Sequence, residues 1–279
     1  MDRDAPDPFA ALAAALLRDA RGPTNLAEAA LWIAADFAPA LDVAGELLRL
    51  EALAEEARPE VQRAWSDEAR VRALNQFLFL EKGFTGNTDH YDDPRNSLLH
   101  EVLERRTGIP ITLSLVYLEV GWRLGLPVEG IGFPGHFLVR YRGRGDFMVD
   151  AFHGSLLDDD ALAAMLRQAL GEDAVFRRAQ LQATSPHAFL VRMLSNLKRH
   201  WALERDYAAA LRCCERLLQL QPDDAVEIRD RGLLYERLEC WEAARDDLRR
   251  FLALRPGDAS AEVVRGRLAD LEGRRSTLH

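Results

Sequence analysis

The chain has 279 residues, 48% of them apolar and 29% charged, enough to build a core in one large domain or two modest ones. A net charge of −9 argues against a general nucleic-acid binder, which carries a basic face. The three cysteines, Cys213, Cys214 and Cys240, all stand in the last third and match neither a disulfide framework nor a zinc spacing. They read as reduced, buried or half-buried thiols that fold and function can dispense with.

Asp2 and Asp4 flank Arg3, and the apolar run Phe9–Leu17 ends in Arg18-Asp19, so no cationic leader with a cleavage site is expected. No stretch of about 18 apolar residues is present, so no membrane span is expected. With the cysteines read as reduced thiols, a cytoplasmic location is expected. Residues 6–82 read as helix throughout. Phe9, Leu12, Ala13 and Leu16 share one helical face. Thr24 or Asn25 caps a second helix, with Glu28 placed for a capping box from Asn25 and Pro39 as the stop. A third runs from Leu41 to Ala57 and halts before Pro59. A fourth opens near Ser66, carries Val71, Leu74, Phe77 and Leu78, and ends at Gly83.

Gly83–Asn96 is rich in Gly, Asn, Asp and Pro and reads as a loop. Asn87, His90, Tyr91 and Asn96 are expected at the rim of a cleft, with His153 joining them from further along. Asp89, His90, Asp92 and Asp93 fit no calcium loop, so no metal is assigned there. Asn96 or Ser97 should cap a helix through Arg106. Gly108-Ile109-Pro110 then breaks that helix, and Pro110 suits the first turn of the next. Apolar residues recur at helical spacing to Leu124. Three strands follow: Val128–Phe133, His136–Tyr141 and Phe147–Phe152. His136 and Asp150 flank the Gly143–Asp146 turn almost symmetrically, which puts them on adjacent antiparallel strands and, in a suitable register, on one face. A His beside an Asp near a helix N-terminus is two-thirds of a cysteine-nucleophile arrangement.

This stretch resembles the transglutaminase-like (papain-like) fold. There a Gly-x-Cys opens a helix that ends in a Leu-Gly-Ile-Pro-like segment, and a strand His and a strand Asp follow. Here Gly108-Ile109-Pro110, Leu124-Gly125-Leu126-Pro127, His136 and Asp150 stand in that order. The resemblance puts the nucleophile position on Pro110, and no cysteine precedes Cys213. Thr112 and Ser114, just inside the same helix, are the hydroxyls available as substitutes.

The chain also resembles a narrower group over about residues 25–258. The motifs are Leu74–Phe79, Glu81–Asn87, Tyr91–Pro94, Asn96-Ser97, Val102–Ile111, Gly135–Leu138 and Asp150–Gly154, and they are similar to the SirB-type family. That resemblance implies a transglutaminase-like domain joined to tetratricopeptide repeats in a bacterial protein. The repeats are legible independently. Tyr207 and Trp241, Ala210 and Ala244, Leu220 and Leu254, and Pro222 and Pro256 are each 34 residues apart, the period of the tetratricopeptide hairpin. Copies span 191–224 and 225–258, with a capping helix to about residue 272.

The expected fold class is α+β. A helical region (1–82) packs on a transglutaminase-like core with a small antiparallel sheet (83–186), and all-α repeats (187–279) follow. Three functions are consistent with this. One is a non-catalytic interaction or regulatory protein, a pseudoenzyme whose repeats bind a protein or peptide, with Lys198, Arg199, Arg229 and Arg231 placed to meet carboxylates. Another is a hydrolase or acyl transferase using Thr112 or Ser114 with His136 and Asp150. The third is a small-molecule or metal site at His136, Asp150 and His153. No cofactor and no metal are assigned, and the first reading leads.

Overall fold

The computed structural model describes residues 7–22 and 24–276. Asp2, Arg3 and Asp4 lie outside the described residues. The described residues form two compact units: one within 21–193, and the other joining 7–20 with 194–276. The first helix, α1 (Pro8–Arg18), therefore belongs with the C-terminal residues, not with the helical region expected to end at residue 82.

In the first unit, α2 (Leu26–Ala35) starts at Asn25, whose side chain accepts the Glu28 N–H, as its sequence position suggests. It ends at Ala35, ahead of Pro39. Helix α3 (Val43–Arg63) runs on past the stop expected before Pro59. Pro59 removes one backbone hydrogen bond, but Leu50, Ala54, Ala57 and Val61 are all buried and continue one stripe across it. Ser66 caps α4 (Asp67–Asn75). The chain then widens into a π-helical turn over Gln76–Glu81 where a continuous α-helix was expected, and Gly83, at φ +73°, ends it.

Strand β1 (Thr85–Gly86) pairs in parallel with β2 (Thr107–Gly108). Between them lie a 3-10 turn, Pro94–Ser97, and α5 (Leu99–Arg105). Asn96 and Ser97 do not cap α5. The Asn96 amide instead donates to the carbonyls of His90 (2.7 Å) and Tyr91 (3.3 Å) and so ties the preceding loop together.

Helix α6 (Pro110–Arg123) is the centre of this unit, and every residue from Pro110 to Gly121 is buried. An all-buried helix needs neighbours on all sides. It has α2, α3 and α5 on one side, and β3 (Val128–Phe133) and β4 (His136–Arg142) on the other. Glu119 Oε1 accepts the Ala27 N–H at 2.9 Å, fixing α2 onto α6. With β5 (Asp146–Asp150) and β6 (Ser155–Leu157), these strands form one antiparallel sheet in the order β3-β4-β5-β6. Gly130 and Phe137 face α6, where a Cβ on Gly130 would meet Leu118. Ile131, Leu138 and Met148 face the other way, onto Leu162 and Leu166 of α7 (Asp159–Leu170). The sheet is thus covered by α6 on one face and α7 on the other.

The unit boundary falls within α8 (Pro186–Leu203). After it come α9 (Tyr207–Leu220), α10 (Ala225–Arg237), α11 (Trp241–Leu254) and α12 (Ala261–Ser276). Helix bounds follow the 34-residue period, and the small positions do what the period requires. Ala210 and Ala244 are fully buried, and a Cβ on Gly232 would stand 3.0 Å from Leu248. In this unit α1 lays Phe9, Ala13 and Leu16 inward and packs on α9. Arg216 of α9 lies over the Phe9 ring, 5.0 Å from its centroid, and pairs with Asp7. These contacts explain why α1 sorts with the repeats.

Candidate functional site

The register of β4 and β5 pairs Val139 with Val149, so His136 and Asp150 project from the same face, two residues apart on neighbouring strands. His136 Nε2 stands 2.9 Å from Asp150 Oδ1. Just after β5 the chain turns back, and His153 Nδ1 reaches the other oxygen, Oδ2, at 2.7 Å. The N–H groups of Phe152 (2.9 Å) and His153 (3.3 Å) also donate to Oδ1. Asp150 is therefore a carboxylate held by two imidazoles and two backbone amides, and only 2% of it is exposed. Burial works to raise its pKa, but the hydrogen bonds and charges of His136 and His153 outweigh burial and hold it at about 2.

These groups open onto a cavity of about 760 Å³. Its polar side carries His136, Asp150, His153, Tyr91 and Ser155, and Pro110 lines it as well. Leu157 of β6 and Ala161, Met165, Gln168 and Ala169 of α7 complete the lining. The Phe152 ring stands edge-on to both His136 (6.0 Å) and His153 (5.0 Å). Gly86 makes room for it, since a Cβ there would come within 2.5 Å of that ring. Arg192 of α8 donates to the carbonyls of His136 (2.5 Å) and Phe133 (3.4 Å), pinning the turn that presents His136.

Of the residues singled out in the sequence, Pro110, His136, Asp150, Tyr91 and His153 come together in this cavity. Asn87, His90 and Asn96 do not line it. The Asn87 amide donates to the side-chain Oδ1 of Asn96 at 3.1 Å and its own Oδ1 accepts the His90 N–H at 3.0 Å, so both asparagines brace the loop from within. Thr112 and Ser114 also lie apart from it. Both are fully buried; Thr112 donates to the Asn96 carbonyl at 2.6 Å, and Ser114 Oγ sits 3.5 Å from the Phe137 carbonyl. A hydroxyl committed to a carbonyl beneath a helix start is a poor nucleophile. The sequence reading missed the α7 wall and Arg192. The amphipathic pattern of α7 was visible, but nothing marked Arg192 within a stretch read as the opening of the first repeat.

The cations expected to meet a partner are engaged within the repeats. Lys198 pairs with Glu227 (2.7 Å) and Asp230 (2.8 Å). Arg229 pairs with Asp230 and bonds Ser260, and Arg231 forks onto Asp247. Arg199 Nη2 lies 3.0 Å from His200 Nε2. Successive repeats carry complementary charges on facing helices, which the period alone did not disclose. Cys213 and Cys214 are buried, and Cys240 is exposed where a buried or half-buried thiol was expected. Burial raises the Cys214 thiol pKa far above its usual range.

A family model described as transglutaminase-like superfamily matches residues 46–195, more than half of the chain. The chain belongs to the transglutaminase-like superfamily. A tetratricopeptide repeat model matches residues 197–269. A UPF0162 protein of Xylella fastidiosa (strain 9a5c) is 39% identical over 259 residues, covering 91% of this chain and 92% of that protein. A UPF0162 protein of Vibrio cholerae is 32% identical over 86% of this chain and 90% of its own. Protein SirB1 of Salmonella typhimurium is 31% identical over 88% and 90%. Within the superfamily this is thus a SirB-type chain, a transglutaminase-like domain followed by repeats. Among solved structures, the crystal structure of menin aligns at a TM-score of 0.41 and 11% identity over 88% of this chain and 69% of menin, a level that carries no argument.

Proposed function

We propose that this SirB-type protein is a non-catalytic binding protein. Its transglutaminase-like cleft takes a ligand without forming an acyl intermediate, and its repeats engage a protein or peptide partner. The observation that carries this reading is Pro110. It lines the cavity shared by His136 and Asp150, at the helix start where the superfamily resemblance puts the nucleophile. A proline there offers no nucleophilic atom and no N–H for an oxyanion. The substitute hydroxyls support the reading further, because Thr112 and Ser114 are turned onto backbone carbonyls away from the cavity. What remains is a His–Asp–His group in a cavity that α7 lines with Ala161, Met165, Gln168 and Ala169, the mixed lining that a small-molecule or peptide-end site uses.

The test is intact-mass analysis of the full chain after incubation with a fluorophosphonate and, separately, with an activated acyl ester. The chain carries Cys240→Ser so that its exposed thiol does not react. No adduct within residues 83–157 is expected. An adduct in that range that vanishes with His136→Ala would overturn the reading.

A further inference from the structure

The second imidazole on Asp150 is surplus to an orienting pair. One histidine and one carboxylate suffice to hold an imidazole in place. Here His153 takes the carboxylate oxygen that His136 leaves, although 61% of its side chain is exposed and water could serve it. The two rings stack at 18° with centroids 6.1 Å apart, so both present a nitrogen to the same carboxylate. The ligating atoms of His136, Asp150 and His153 all lie within 4.8 Å of one another. Among the described residues they are the cluster of histidine and carboxylate groups arranged this way.

We propose that His136, Asp150 and His153 form a mononuclear site for a divalent first-row transition metal, with its remaining coordination positions open to the cavity. Two imidazoles and one carboxylate are the donor set that suits zinc, cobalt, nickel or ferrous iron, whereas calcium and magnesium call for oxygen ligands. Metal–ligand bonds of about 2.0–2.2 Å in a tetrahedral arrangement set neighbouring donor atoms roughly 3.4 Å apart. The observed separations of 2.9 Å from His136 Nε2 to Oδ1 and 2.7 Å from His153 Nδ1 to Oδ2 already approach that spacing. Coordination through Nε2 of His136 and Nδ1 of His153 moves each ring proton to the far nitrogen. The carboxylate comes supported, because the N–H groups of Phe152 and His153 fix its orientation. Arg192 does the same for His136 through its backbone carbonyl. The metal would meet a ligand in the cavity, between Tyr91 and the α7 wall.

This inference rests on the cleft being a binding site and names what it binds. The experiment is titration of chelator-treated full-length protein with Zn²⁺ by calorimetry and with Co²⁺ by visible absorption. One equivalent of Zn²⁺ per chain and a Co²⁺ ligand-field band are expected. His153→Ala should weaken Zn²⁺ binding roughly 100-fold and remove the band, with far-UV circular dichroism unchanged because His153 is exposed. Cys240→Ser should leave both unaltered, which excludes the exposed thiol as the ligand. No saturable binding, or binding that His153→Ala leaves intact, overturns the metal site. That failure is separate from failure of the non-catalytic reading, which shows as an acyl or phosphonyl adduct in metal-free protein.

Discussion

At the scale of single residues, Asp150 is the side chain on which the cleft depends. Its folded pKa of about 2 lies below the free value of 3.8, so ionised Asp150 stabilises the fold at any pH above 3.8. That contribution is lost as pH falls through the folded value. Asp150→Asn should lower stability at neutral pH by about 2 kcal/mol. The difference between wild type and variant should shrink as pH falls from 3.8 towards 2. Urea titrations at stepped pH read both; a difference that stays constant down to the folded value would contradict the assignment. His136 and Asp150 were legible in the sequence because a short hairpin fixes which residues share a face. His153 was placed only at the rim, since its approach to Oδ2 depends on the turn after β5 and on the left-handed Gly154, at φ +68°. Thr112 and Ser114 were left open in the sequence for a different reason. A hydroxyl at the start of a buried helix has the same sequence signature whether it faces a cavity or a carbonyl.

At the scale of elements, α6 and α1 carry different lessons. The apolar residues recurring after Pro110 announced a helix, and α6 is one, buried from Pro110 to Gly121 with the cleft at its N-terminal end. Helix α1 announced an amphipathic stripe but not the surface that stripe covers. Phe9, Ala13 and Leu16 could have packed on any helix of the N-terminal region, and they pack on α9. Sequence distance hid that partner, because Asp7 and Arg216 lie far apart in the chain. The contact makes a prediction. Phe9 is fully buried, so Phe9→Ala should destabilise the second unit by about 3 kcal/mol. Amide hydrogen exchange should then quicken across α9. Unchanged protection in α9 would show that α1 is not part of that core. The proline in α3 gives the converse case. Pro59 signalled a stop, but the buried stripe from Leu50 to Val61 outweighs the missing hydrogen bond.

At the scale of the whole molecule, the repeat period and the order helix–strand–strand–strand made the repeats and β3-β4-β5 legible, but not β1, β2, β6 or the placing of α1. Both are local, periodic signals. The charge pairing along the repeats was not legible, because Lys198, Arg229 and Arg231 look like a solvated binding face until the carboxylates of the facing helices are placed beside them. A partner bound by the repeats must therefore compete for those cations or use other surface. The cleft is the more specific feature: the His136–Asp150 pair, a cavity and, in the reading proposed above, Pro110 at the nucleophile position. The most direct measurement of that account is the thiol pKa of Pro110→Cys in metal-free protein carrying Cys240→Ser, read by the pH dependence of alkylation. The account predicts a thiol well below the usual value of about 8.5, restored towards it by His136→Ala, alongside a wild type that turns over no activated ester. An ordinary thiol pKa in the variant, or wild-type turnover that disappears with His136→Ala, would contradict it.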